Sequence, residues 1–134
     1  MKAFHPTLIL GDTLTLAVVT LAGFATHGET SLTLAPRIML RMLTSFLPLL
    51  VGWFLLAPLL GLFSAQITIN PRQLWRPVYA MLLAAPLVGV LRAVMLNGIA
   101  LPLFVLILGA SAALGMLLWR ALFLFIQHRL SLVQ

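Results

Sequence analysis

The sequence predicts an all-α integral membrane bundle of four transmembrane helices with short loops, forming a single domain over residues 1–134. Hydrophobic residues make up 63% of the chain and charged residues 7%, and the mean hydropathy is +1.17. Such values are typical of a chain solvated mainly by lipid. Four apolar stretches each reach the roughly 20 residues needed to cross a hydrocarbon core of about 30 Å. The predicted spans are residues 7–26, 36–63, 77–98 and 102–126.

The first span carries an acid, Asp12, about six residues inside its apolar stretch. An alternative interpretation is a signal peptide, with Lys2 as the charged region and Gly23-Phe24-Ala25 as a cleavage site. An acid inside the apolar region and the length of the stretch argue against that alternative. We therefore expect the first span to be retained.

Proline and polar residues delimit the other spans. The second span begins at Pro36 and the third at Pro77, and proline is favourable at the start of a helix. Residues 64–76 form the clearest polar loop. The turn at Asn97-Gly98 predicts a tight antiparallel hairpin of the third and fourth spans.

Lysine and arginine positions predict the orientation. With the N-terminus in the cytoplasm, five basic residues fall inside and three outside, so both termini are expected to be cytoplasmic in a multi-pass protein of the plasma membrane. The small excess leaves open a dual topology with antiparallel pairing. The inner residues are Lys2, Arg72, Arg76, Arg120 and Arg129, and the outer ones are Arg37, Arg41 and Arg92.

The spans place Asp12 and Arg120 at nearly the same depth on the inner side, so we predict that they pair. A charge inside a membrane commonly marks either an ion route or a structural ion pair. In the first case Asp12 exchanges a proton or competes for a cation, with Arg120 moving it between states. In the second case the pair only fixes how the first and fourth spans pack.

A second predicted polar layer lies on the outer side, where three arginines face one acid. Three interpretations stay open: the arginines bind lipid headgroups, they pair with the acid, or they hold a specific small anion, which the planar guanidinium suits. The members of this outer group are Arg37, Arg41, Arg92, His27 and Glu29.

Several functions are disfavoured by composition. The chain has no cysteine, and its three histidines lie outside the spans or at their edges, without metal-ligand spacing. It contains no glycine-rich phosphate loop or nucleophile motif, so we expect neither enzymatic activity nor a cofactor or metal. The net charge of +6 is scattered singly along apolar segments, which indicates contact with membrane lipids rather than nucleic acid.

Small residues and prolines predict how the helices pack. Ala85, Gly89 and Ala93 recur every four residues in the third span, and Gly109 and Ala113 do so in the fourth, so each span has a face for close helix contact. These faces could meet within the hairpin or bind a second copy. Trp53 falls near mid-membrane, where we expect packing. Prolines 48, 58 and 86 lie inside spans and predict bends.

The order of short motifs along nearly the whole chain resembles an uncharacterised family of small four-helix prokaryotic membrane proteins. That family is defined only as a domain of unknown function, so the resemblance implies four spans and a prokaryotic plasma membrane but no activity. The motifs are Gly11-Asp12, His27-Gly28-Glu29, Pro48 with Gly52-Trp53, Pro86 with Arg92, and Trp119-Arg120.

Two hypotheses of function follow. In the first, the protein is a small transporter or channel linked to protons or anions, and it must be a dimer because four spans enclose little volume. It resembles small multidrug transporters in size and in its first-helix acid, but differs in its buried arginines and few aromatic residues. In the second, it is a non-catalytic accessory or scaffold subunit of a larger membrane complex.

Overall fold

The computed structural model describes residues 6–26 and 36–133 and contains five α-helices and one 3-10 turn there, with no strand in those ranges. Four helices are long and apolar enough to cross a membrane, which confirms the predicted fold class. The helices are α1 (Pro6–Thr26), α2 (Pro36–Leu59), the one-turn α3 (Ala65–Thr68), α4 (Trp75–Met95) and α5 (Pro102–Val133), with the 3-10 turn at Pro71–Gln73.

The four long helices are arranged in a ring. Helix α4 packs against α2 and α5, and α1 packs against the same two helices from the other side. Between them lies one apolar core in which Trp53, Leu49 and Met116 are fully buried. Large apolar side chains remain exposed along every long helix, as expected for surfaces that face lipid.

Helix α2 ends four residues before the predicted limit of its span. Gly61 has a φ of +71°, the left-handed conformation that glycine adopts without strain. The Leu62 N–H donates to the Ala57 carbonyl at 3.0 Å and the Gly61 N–H to the Pro58 carbonyl at 3.0 Å. This hydrogen-bond pattern is a Schellman motif, and it stops the helix.

A second Schellman motif ends α4 at the predicted hairpin turn. Asn97 has a φ of +55°, and the Gly98 N–H donates to the Ala93 carbonyl at 2.9 Å. At the other end, Pro77 lies in the first turn of α4, where its missing N–H breaks no helical hydrogen bond.

Helix α5 continues seven residues past its predicted end at Ile126, to Val133. Its 32 residues measure about 48 Å at about 1.5 Å per residue, well beyond the roughly 30 Å of a hydrocarbon core. No glycine or proline follows Ile126, so nothing in the sequence stops the helix there.

The small residues of α4 and α5 meet each other within the hairpin. A Cβ added at Gly109 would lie 2.7 Å from the Ala85 Cβ, and a Cβ added at Gly89 would collide with Val105. The sequence left open whether these faces meet within the hairpin or bind a second copy. In the structure, Gly89 and Gly109 lie in the contact between α4 and α5 of one chain. The three prolines in α2 and α4 lie inside their helices, as predicted, at positions 48, 58 and 86.

Candidate functional site: a buried carboxylate held by three helices

The carboxylate of Asp12 has no solvent-accessible surface, although it lies only two turns into α1. The predicted ion pair is present: Arg120 Nη2 lies 2.7 Å from Asp12 Oδ2, and Arg120 Nε donates to Oδ1 at 3.2 Å. The guanidinium therefore approaches the carboxylate side-on with two hydrogen bonds, which is the strong geometry for this pair. Whether the pair couples ions stays a prediction.

Two tryptophans complete the coordination of the carboxylate. Trp53 Nε1, on α2, donates to Oδ2 at 3.0 Å, and Trp119 Nε1, on α5, donates to Oδ1 at 2.9 Å. Each carboxylate oxygen thus accepts two N–H hydrogen bonds. We call Asp12, Arg120, Trp53 and Trp119 the carboxylate clamp.

Glycine at position 11 makes room for one of these donors. A Cβ added at Gly11 would collide with the six-membered ring of Trp119. The indole therefore crosses α1 at the residue beside the acid, and its N–H reaches Asp12. The Gly11-Asp12 dipeptide works as a unit: one residue provides the space and the other the acceptor.

Arg120 also links the clamp to the end of α2. Its Nη1 donates at 2.8 Å to the carbonyl of Leu62, the last residue of the Schellman motif. Arg76 of α4 donates from Nη1 to the Leu60 carbonyl, also at 2.8 Å. Two arginines from two other helices thus satisfy carbonyls at the C-terminal end of α2, where a positive charge is favourable.

Aromatic rings enclose the guanidinium on other sides. The Arg120 Cζ lies 5.7 Å from the Trp53 ring centroid and 5.6 Å from that of Phe63. Arg120 is 4% exposed, so both members of the pair are removed from water. Desolvation of two charges is costly, and the four N–H donors to Asp12 together with the Leu62 carbonyl are what offset it.

The second polar layer is only partly within the described residues. His27 and Glu29 lie outside them, and Arg37 belongs to the first turn of α2 with its side chain also outside them. Arg92 Nε donates at 3.2 Å to Ser45 Oγ, which lies one helical turn after Arg41, so Arg41 and Arg92 are both near the end of the bundle opposite the clamp. Whether this group binds an anion or a headgroup stays a prediction.

Sequence reasoning missed the roles of both tryptophans. From the sequence, only packing was expected of Trp53 and no role of Trp119, whereas both donate to Asp12. A signal was present, because a buried indole N–H needs an acceptor. An ionised carboxylate has about four acceptor positions, of which a side-on arginine fills two.

Four membrane-length helices around a buried, charge-paired cluster define a small multi-pass membrane protein. The family comparison agrees with this class. The model of the family described as "Protein of unknown function (DUF3054)" matches residues 9–123, so the chain belongs to that family, and the resemblance to an uncharacterised family is confirmed. The matched residues include all four members of the clamp. A search of curated proteins found no match, and neither did a search of solved structures.

Proposed function

We propose that this protein is a non-catalytic accessory subunit in the membrane, a small helical scaffold whose fold is fixed by the carboxylate clamp. The observation that carries the proposal is the complete burial of Asp12 with four N–H donors on its two oxygens. A carboxylate in this setting has no acceptor position left for a substrate ion.

The chemistry of proton or cation coupling needs a different environment. A coupling acid must meet water or the transported ion in at least one state, and it must tolerate the loss of its charge. Asp12 has no surface accessible to water, and neutralising it would leave the Arg120 cation buried without its counter-ion. Removing one partner of a buried pair typically costs about 3 to 5 kcal/mol. This argues for a fixed pair.

The transporter or channel hypothesis is therefore the weaker of the two. It would require a second conformation in which α1 moves away and all the hydrogen bonds of the clamp break at the same time. The bonds come from two helices, α2 and α5, so such a movement must separate α1 from both. A dimer interface could supply a pathway elsewhere, but that pathway would not use Asp12.

The outer faces of the helices are apolar enough to pack against a partner within the membrane. Large apolar side chains lie exposed along the whole length of α5, from Leu103, which is 69% exposed, to Leu132, which is also 69% exposed. Lipid can cover these faces, and so can the helices of a partner. We place the protein in the plasma membrane with both termini in the cytoplasm, either as a homodimer or within a larger complex.

Native-membrane extraction followed by mass measurement tests this proposal. The tagged full chain is extracted with its surrounding lipid, chemically cross-linked, and sized. The accessory role predicts a discrete assembly of fixed stoichiometry. If the partner covers the middle of α5, the assembly should be lost in Leu118→Ser. It should be retained in Leu103→Ser, a change near the start of that helix. A monodisperse monomer that carries solute flux in proteoliposomes, with the flux lost in Asp12→Asn, would overturn the proposal.

A further inference from the structure

An apolar groove opens on the outer surface of the bundle between α4 and α5, at the end that holds the carboxylate clamp. It encloses about 380 Å³, which lies within the range of small-molecule sites. Side chains four residues apart on α4 share one face of the helix and form one wall. The lining residues are Leu74, just before α4, then Trp75, Val78, Tyr79 and Leu82 of α4, and Leu117 of α5.

The groove runs from the membrane boundary into the hydrocarbon region. Leu74 lies near the start of the apolar segment Pro71–Met95, and Leu82 lies eight residues further along it. At about 1.5 Å per residue, the groove therefore extends about 12 Å along the helix. An apolar groove with this depth and direction matches one acyl chain of a phospholipid.

Two aromatic rings form the wall near the mouth of the groove. Trp75 and Tyr79 meet edge to face with their ring centroids 6.0 Å apart. The Arg76 Cζ lies 5.3 Å from the Trp75 ring, and this guanidinium is held by bonds to the Gln73 side chain at 2.6 Å and to the Leu60 carbonyl at 2.8 Å. Tryptophan and tyrosine commonly lie at the level of lipid headgroups, so the mouth is expected at that level.

A positive charge stands at the mouth without a carboxylate to balance it. Arg72 precedes Leu74 by two residues, which places their Cα atoms within about 7 Å of each other. Its N–H donates at 3.0 Å to Asn70 Oδ1, but its exposed side chain has no acceptor in the described part of the chain. Of the two acidic residues in the sequence, Asp12 is buried against Arg120, and Glu29 comes after the far end of α1. An anionic headgroup would supply the missing charge.

We propose that this groove holds one acyl chain of an anionic phospholipid, with the lipid phosphate bound by Arg72 at the mouth. Arginine suits this role because its planar guanidinium can donate two parallel hydrogen bonds to a phosphate. A helix of a partner protein would need an acid at the same level to satisfy that charge. The lipid site is separate from the clamp and does not depend on the accessory role.

The test measures how far added lipid raises the unfolding temperature. Purified full-length protein in neutral detergent is titrated with phosphatidylglycerol and, separately, with phosphatidylcholine that carries the same acyl chains. Arg72→Gln removes the charge at the mouth. Its control is Arg129→Gln, which removes the same charge from an exposed position about 18 Å along α5 from Leu117.

A second pair of variants tests the groove itself. Leu82→Trp places a large side chain in the groove, and Leu83→Trp places the same side chain at the neighbouring position, which does not line it. The two leucines are 50% and 47% exposed, so neither substitution is expected to prevent folding.

The proposal predicts that phosphatidylglycerol raises the unfolding temperature more than phosphatidylcholine does. Arg72→Gln should weaken the binding of phosphatidylglycerol about fivefold, while Arg129→Gln leaves it unchanged. Leu82→Trp should abolish the shift that phosphatidylglycerol produces, and Leu83→Trp should retain it. Equal shifts in the wild type and all four variants, equal effects of the two lipids, or no shift with either lipid would each overturn the proposal.

Cross-linking in native membranes tests the occupant directly. A photoreactive amino acid incorporated in place of Leu82 should form an adduct with lipid. A discrete protein adduct at position 82 that is absent at position 83 would overturn the proposal and assign the groove to a partner helix.

Discussion

Gly11 of α1 lies directly against the indole ring of Trp119 on α5, with no room between them for a single methyl group. This contact brings the Trp119 N–H to 2.9 Å from Asp12 Oδ1. This close contact between the two helices and the burial of the acid are therefore one feature of the structure.

Replacing Gly11 by alanine should destabilise the protein despite the better helix propensity of alanine. The new Cβ collides with a ring that is itself hydrogen-bonded, and overpacking of this kind typically costs about 1 to 3 kcal/mol. Gly23→Ala is the matched control, because a Cβ there meets no atom within 4 Å. Unfolding in mixed micelles measures the free energy of unfolding of both variants. Similar values for the two would show that the Trp119 ring can move aside.

Breaking the ion pair from both sides at once should cost less than the sum of the two single losses. Asp12→Asn leaves a buried cation and Arg120→Gln a buried anion, and each should lower the free energy of unfolding by about 3 to 5 kcal/mol. The double variant buries no net charge. We expect a coupling energy of about 0.5 to 3 kcal/mol in the double-mutant cycle, and strict additivity would show that the two groups do not interact.

Loss of one indole donor should have a smaller effect. Trp119→Phe keeps an aromatic ring but removes the N–H, leaving Asp12 Oδ1 with one donor, at a cost of about 1 to 3 kcal/mol. Trp75→Phe is the control, since Trp75 is 55% exposed and its substitution should change stability by less than about 0.5 kcal/mol. A loss at position 75 equal to that at 119 would mean that ring volume, rather than the hydrogen bond, sets the stability.

The orientation can be tested cleanly because the chain contains no cysteine. Single cysteines at Gln66, between α2 and α4, and at Ile99, in the hairpin turn, should lie on opposite sides of the membrane. With cytoplasmic termini, an impermeant maleimide added to intact cells should label Ile99→Cys and leave Gln66→Cys unlabelled until the cells are opened. Labelling of both in intact cells would instead indicate dual topology.

The sequence was sufficient to predict the four helices and the Asp12–Arg120 pair. Span counting depends only on length and apolar composition, and equal depth within two spans brought the charges together. The need of a buried indole N–H for an acceptor was a signal, but it could not show which tryptophans reach Asp12, because the inward-facing side of a uniformly apolar helix cannot be read from its pattern. The early end of α2 was readable in principle from Gly61, whereas the Arg120 bond to the Leu62 carbonyl depends on tertiary packing.

Proton release from the purified protein is the measurement that most directly separates a fixed clamp from a coupling site. Candidate ions and small metabolites are added to wild type and to Asp12→Asn in weakly buffered detergent solution between pH 5 and about pH 8, the range in which folded proteins are generally most stable. A fixed clamp predicts no solute-dependent release from the wild type at any pH, with Asp12→Asn differing only in stability. Release from the wild type that disappears in Asp12→Asn would contradict it and make Asp12 a coupling residue.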